Sequence, residues 1–235
     1  MVNPILVALD VPNLTQAESL ARSLDGYVGG YKVGLELLMG EGPKSVSRIA
    51  KIGLPVFADA KLHDIPNTVE LAARQLAAHG ARWVTAHASG GSQMIEAVAS
   101  GLTSGSEDGK VGVLAVTVLT SLDQGDLAAL GVSDSVQTHS VELARLARNA
   151  GAEGVICSPL EVGTLKVLFP GFLAVTPGIR PAGSDKGDQK RTATPVEALR
   201  AGADFIVVGR AITGASDPVA SAASIVSSLR AAELF

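Results

Sequence analysis

Short apolar, β-branched runs recur along the chain: ILVALD (5–10), YKVGL (31–35), PVFADAKL (55–62), WVTAHA (83–88), VGVLAVTVL (111–119), GVICS (154–158), LAVTPG (173–178) and FIVVGRA (205–211). Between them, apolar positions follow helical spacing and helix-start signals appear. Thr15 followed by Glu18, and Asn67 followed by Glu70 just after Pro66, have capping-box spacing. Three segments, HGARWV (79–84), AGAEGV (150–155) and AGADFI (201–206), share one pattern. It predicts that a helix ends, a glycine takes the left-handed cap and a buried strand begins. Near-continuous apolar strands alternating with helices indicate a parallel sheet covered on its outer side. Eight such units over residues 1–235 predict an α/β fold, a (β/α)8 TIM barrel in a single domain.

A doubly wound open sheet is the rival. Its phosphate fingerprint, G-x-G-x-x-G, is absent after the first run. GSEDGKV (105–111) matches a P-loop only loosely, with short spacing and Val111 in place of Ser or Thr. The stretch GLTSGSEDGK (101–110) reads as an ordinary exposed loop.

Composition narrows the function classes. Hydrophobic residues make up 47% and aromatics 3%, so the core is aliphatic and alanine-rich. The net charge of −4 argues against nucleic acid or an anionic membrane as main partner, without excluding a local cationic pocket. The longest apolar run is too short to span a bilayer, and MVNPILVALD is a poor signal peptide. Cys157 is the only cysteine; it suits a reducing, cytoplasmic setting and reads as a small buried residue.

Polar residues gather where a barrel places its chemistry, at the C-terminal strand ends. Asp10 ends the first run and Lys32 sits in the second. Asp59 and Lys61 close the third, with Asp64 just beyond. Thr120 follows the fifth, Arg180 the seventh, and Gly209 and Arg210 end the eighth. Strand alternation turns Asp59 and Lys61 to one face and Ala58, Ala60 and Leu62 to the other. Charges in so apolar a context are costly unless paired or used. A metal site from Asp59, His63 and Asp64 is an alternative, weakened by the neighbouring lysines. His79, His87 and His139 show no paired ligand spacing and read as structural. The segment GIRPAGSDKGDQKR (178–191) has the glycines, proline and cations of a lid.

These residues resemble a known family, orotidine 5′-phosphate decarboxylase, over nearly the whole chain. The motifs are ALD ending at Asp10, YKVG with Lys32, DAKLHDIPNT (59–68), VTVLTS with Thr120, TPGIRP with Arg180, GDQKR with Gln189 and VVGRAI with Gly209 and Arg210. The resemblance implies cofactor-independent decarboxylation of orotidine 5′-monophosphate to uridine 5′-monophosphate, with no bound metal. It implies an alternating charge network of Lys32, Asp59, Lys61 and Asp64. It implies a homodimer in which Asp64, Ile65 and Thr68 complete the neighbouring site. Asp10 is expected on the ribose hydroxyls, Thr120 on the pyrimidine, and Gln189, Gly209 and Arg210 on the phosphate, with Arg180 opening a closing loop. One departure is Ala58 and Ala60, where the family commonly carries bulkier aliphatics; outer packing, not chemistry, is expected to change. Lys61 is the candidate proton donor to the ring carbon C6. Two rival functions remain: a magnesium-dependent sugar-phosphate enzyme of the same superfamily, which carries an acid in place of Lys32, and a non-catalytic nucleotide-binding barrel.

Overall fold

The computed structural model describes residues 3–181 and 190–235. The elements follow in chain order: β1 Ile5–Ala8, α1 Leu14–Ser23, β2 Gly30–Val33, α2 Leu35–Glu41, α3 Lys44–Ala50, β3 Val56–Leu62, α4 Pro66–Ala78, β4 Trp83–His87, α5 Ser92–Gly105, β5 Gly112–Val116, α6 Gln124–Ala129, α7 Val136–Asn149, β6 Gly154–Ile156, α8 Val162–Leu168, β7 Leu173–Thr176, α9 Pro195–Arg200, β8 Phe205–Val208, α10 Arg210–Thr213 and α11 Pro218–Ala231. The eight strands are parallel and close in sequence order, with β8 returning to β1 through Ile5↔Ile206. This is the expected (β/α)8 barrel. Among the described residues, no helix is long and apolar enough to cross a membrane.

Alternation along the strands divides the apolar residues into two cores. Ile5, Val7, Tyr31, Val33, Val56 and Ala58 face outward and meet the helices. Leu6, Ala8, Phe57, Leu114, Val175 and Val207 fill the barrel interior. Trp83 joins this inner set and stacks at a tilt on Phe205, 5.3 Å between ring centroids, at the N-terminal end of the strands. The lower barrel is therefore plugged by hydrocarbon, which the Glu153 carboxylate meets from below by accepting from the Trp83 Nε1–H.

The three repeated segments end their helices alike. Gly80, Gly151 and Gly202 have φ of 90°, 84° and 105°. The alanine after each, Ala81, Ala152 and Ala203, donates its N–H to a carbonyl five residues back, as a left-handed helix cap requires.

Both expected capping boxes are absent. Asn13 caps α1 by accepting from the Gln16 N–H, which leaves Thr15 inside the first turn. Asn is the stronger cap residue, so the helix starts earlier. Glu18 instead binds Arg48. In α4, Pro66 takes the first helical position, Ile65 becomes the N-cap and Asn67 falls within the helix. Capping boxes occur instead at Asp123–Asp126 and Thr194–Glu197.

The stretch 101–110 is also not simply a loop. Residues up to Gly105 form the last turn of α5. A Cβ on Gly101 would collide with the Glu70 carbonyl oxygen, and one on Gly105 with that of Arg74. These glycines let α5 lie directly on the backbone of α4. In an open helix position, Gly→Ala stabilises. Gly40 in α2 would have nothing within 4 Å of an added methyl group and is the control. Gly101→Ala is expected to lose about 1–3 kcal/mol, and Gly40→Ala to gain about 0.4–1 kcal/mol. Urea unfolding of the two variants reads these opposite signs.

Candidate active site

The stretch FADAKLHD forms the polar end of β3. Phe57 and Asp59 point into the barrel, while Ala58 and Ala60 pack on its outer side, as expected. Lys61 lines the same cavity as Asp59, also as expected, but it does so from an irregular stretch of strand. The β3–β4 register shifts between Ala58↔Val84 and Leu62↔Ala86. Lys61 takes a φ of 48°, one of two positive values among the described non-glycine residues. That conformation costs an L-residue roughly 1–2 kcal/mol. The strand is therefore bulged at the residue whose amine enters the site.

Four charges form an alternating chain. The Lys32 ammonium lies 3.0 Å from Asp10 Oδ1 and 3.4 Å from Asp59 Oδ2. The Lys61 ammonium donates to the same Asp59 Oδ2 at 2.7 Å. Burial alone would raise the Asp59 carboxyl, but the ammonium groups of Lys32 and Lys61 outweigh it and hold the carboxyl below its ordinary value. Burial would likewise lower Lys32; Asp59 and Asp10 reverse that and raise it. Asp59 is thus an anion shared by two cations beneath a partly open surface, since the Lys61 side chain is 30% exposed.

Above this chain lies a cavity of about 530 Å³, large enough for a mononucleotide. Asp10, Lys32, Asp59 and Lys61 line one side. Thr120, Arg180, Gly209 and Arg210 line it from the loops after β5, β7 and β8. Eight expected site residues therefore converge on one cavity. Three others do not: Asp64, Ile65 and Thr68 are exposed and contribute nothing to this cavity within one chain. The Asp64 carboxylate instead accepts from the Ile65 N–H at 2.7 Å. Gln189 and most of the expected lid, 182–189, lie outside the described residues. Asp59, His63 and Asp64 do not converge as metal ligands: among the described residues, no group of three or more His, Cys, Asp or Glu side chains could hold a metal ion.

Some contributors carry no signal in the sequence. Thr85 is fully buried and donates to Asp59 Oδ1 at 3.0 Å. Its inward position on β4 is legible from alternation, but its partner is not. Gly34 is required for space: a Cβ there would lie 2.7 Å from both Asp10 Oδ1 and the Lys32 ammonium. Glu161 and Arg191 form a buried ion pair. Arg191 also donates to the carbonyls of Val118 and Leu119, while Glu161 accepts from the Ser158 N–H. This pair ties together the loops after β5, β6 and β7. Thirty residues separate its members, and no local pattern links them.

His87 stacks on His63 with centroids 5.4 Å apart. Burial, then the His63 and Lys61 charges, holds His87 below its ordinary range. Cys157 is buried, which pushes its thiol up to about 12 and leaves it inert, as expected.

A carboxyl held low by its partners contributes stability above its ordinary value and loses it as pH falls. For Asp59 the ordinary value is 3.8, so the contribution is full above that and drains away below it. The stability gap between the parent and Asp59→Asn is therefore expected to be widest near neutrality and to narrow below about pH 4. Urea unfolding from about pH 7 to about pH 3 measures it; a constant gap would contradict the paired carboxylate.

Known proteins resemble this chain along nearly its whole length. A relative named orotidine 5′-phosphate decarboxylase, from Anaeromyxobacter sp. (strain K), is 53% identical over 226 residues, covering 96% of this chain and 97% of its own. A second, from Anaeromyxobacter dehalogenans (strain 2CP-1 / ATCC BAA-258), gives the same identity and coverage. The solved structure of orotidine 5′-phosphate decarboxylase from Lactobacillus acidophilus superposes with a TM-score of 0.84 at 40% identity, over 96% of this chain and 98% of that one. Residues 3–225 match the model of one family, and the chain belongs to it: the Orotidine 5′-phosphate decarboxylase / HUMPS family.

Proposed function

We propose that Lys61 delivers the proton that replaces carbon dioxide at C6 of orotidine 5′-monophosphate, without a metal or organic cofactor. The chain is a carboxy-lyase that forms uridine 5′-monophosphate in pyrimidine biosynthesis. The observation that carries the finer reading is the Asp10–Lys32–Asp59–Lys61 chain at the wall of the cavity.

Loss of the carboxylate leaves negative charge on a ring carbon with little means of delocalising it. A fixed ammonium beside that carbon stabilises the charge, because preorganised charge acts strongly in a water-excluded site. This role for Lys61 is supported by its bulged strand and by Asp59, which keeps an anion against its ammonium. Repulsion between Asp59 and the substrate carboxylate is a smaller contribution. Two like charges about 4 Å apart interact by ~4 kcal/mol at an effective dielectric near 20. Highly proficient enzymes lower barriers by up to ~23 kcal/mol. The larger share therefore falls to Lys61 and its surroundings.

Gln189, Arg210 and the Gly209 backbone are proposed to hold the phosphate, with Arg180 opening the loop that closes over it. Thr120 meets the pyrimidine and Asp10 the ribose. Lys32 also argues against the magnesium-dependent rival. It sets an ammonium between Asp10 and Asp59, where an acid would be needed to recruit a divalent cation. Asp64, Ile65 and Thr68 are assigned to the site of a second copy of the chain. Ile65 is 67% exposed, a large apolar side chain beside the turn into α4.

Lys61→Ala is expected to lower turnover by at least about 10⁴-fold while uridine monophosphate still binds; unchanged turnover refutes the proton-donor assignment. Parent activity is expected to survive excess chelator. Mixing Asp64→Ala with Lys61→Ala subunits is expected to restore up to roughly a quarter of parent activity, because each mixed dimer regains one whole site. No recovery despite proven subunit exchange contradicts the shared site.

A further inference from the structure

Between the pairs Ala58↔Val84 and Leu62↔Ala86, three residues of β3 face one residue of β4. Asp59, Ala60 and Lys61 stand opposite Thr85 alone. A bulge of this kind disrupts the backbone ladder and leaves its extra residues to find partners elsewhere. The Lys61 N–H finds one in the Thr85 hydroxyl, at 2.8 Å. The same hydroxyl donates to Asp59 Oδ1, at 3.0 Å. A threonine hydroxyl has one proton to give and lone pairs to accept, so both bonds form at once.

We infer that Thr85 is a positioning residue for the decarboxylation, the clamp that holds the β3 bulge and with it the Lys61 ammonium. This rests on the assignment of Lys61 as proton donor. The clamp acts on both ends of the Asp59–Lys61 pair. It fixes the backbone of Lys61 in its left-handed conformation. It also occupies Oδ1 of Asp59, so that Oδ2 is the oxygen left to both lysines. Thr85 does not line the cavity and is fully buried, so it acts through its neighbours and not on substrate. Binding and catalysis should therefore separate when the hydroxyl is removed.

Thr85→Val keeps the shape and removes the hydroxyl. It leaves a buried donor and a carboxylate oxygen without their partner, an effect that for charged groups corresponds to about 10- to 100-fold in rate. The expected result is a fall of that size in kcat, with KM and uridine monophosphate affinity within about threefold of the parent. Thr85→Ser, which keeps the hydroxyl, is expected to recover most of the lost kcat. Thr85→Ala is the second hydroxyl-free variant should the valine protein not fold, with the same expected loss. Titration with uridine monophosphate counts folded sites in every sample. Parent-like kcat in the valine or alanine variant overturns the inference. So does a serine variant as impaired as these, or equal losses in kcat and nucleotide affinity. A parent chain that fails to decarboxylate overturns the functional reading itself, and an active parent with an active Lys61→Ala variant overturns the proton-donor assignment.

Discussion

A single carboxylate, Asp59, is held between two ammonium groups at the upper end of an otherwise apolar barrel, and much of the site is arranged to keep it there. Taking an unpaired charge into such an interior costs several kcal/mol even after relaxation. Here the cost is offset on both oxygens: Thr85 donates to one, Lys61 and Lys32 approach the other. Removing any partner leaves the remainder buried and mismatched, so the constraint propagates. Lys32 must reach Asp10 as well, and Gly34 must lack a side chain for that pair to fit.

The barrel separates stability from chemistry along its axis. Below, Leu6, Phe57, Trp83 and Phe205 supply a continuous hydrocarbon plug. Above, the strands end and their loops supply charge. The separation lets β3 deviate from regular pairing without loosening the core, because the bulge begins only after Ala58, beyond the tightly packed inner layer. The strained backbone at Lys61 can persist because its surroundings determine it from both sides. Farther around the rim, the buried Glu161–Arg191 pair ties the loops after β5, β6 and β7. The wall facing Lys61 is therefore also fixed by charge-assisted hydrogen bonds, not by packing alone.

The eight-fold alternation of apolar runs and helical spacing is enough to read the barrel, since buried parallel strands leave that pattern. The glycines of the three repeated helix ends are legible because only one backbone geometry suits them. Asp10, Lys32, Asp59 and Lys61 stand out as charges misplaced in apolar runs. What the sequence hides depends on distance and register. Thr85 is an ordinary strand residue until the bulge places it opposite Lys61. Glu161 and Arg191 meet only when three loops close together. Gly101 and Gly105 resemble loop formers because their true constraint, the backbone of α4, lies in another helix. The capping signals at Thr15 and Asn67 mislead because Asn13 and Pro66 compete for the same helix starts.

The overall charge of the chain is a poor guide to what the cavity binds. The protein carries a net −4, yet four cations and two carboxylates are among the residues lining the cavity. Lys32 and Lys61 are matched by Asp10 and Asp59 on the side formed by β1 to β3. Arg180 and Arg210 stand on the side of β7 and β8. A concave site with low-dielectric walls focuses the field of the charges that line it, whatever the far surface carries. The two ends are therefore suited to different tasks. In the proposed assignment the phosphate, which stays anionic throughout, lies on the side of Arg210. The lysine–aspartate side is balanced before anything binds, so it presents an ordered ammonium without demanding a permanent anion beside it. That balance matters for a reaction in which the substrate carboxylate departs as neutral carbon dioxide and its negative charge is left briefly on a ring carbon.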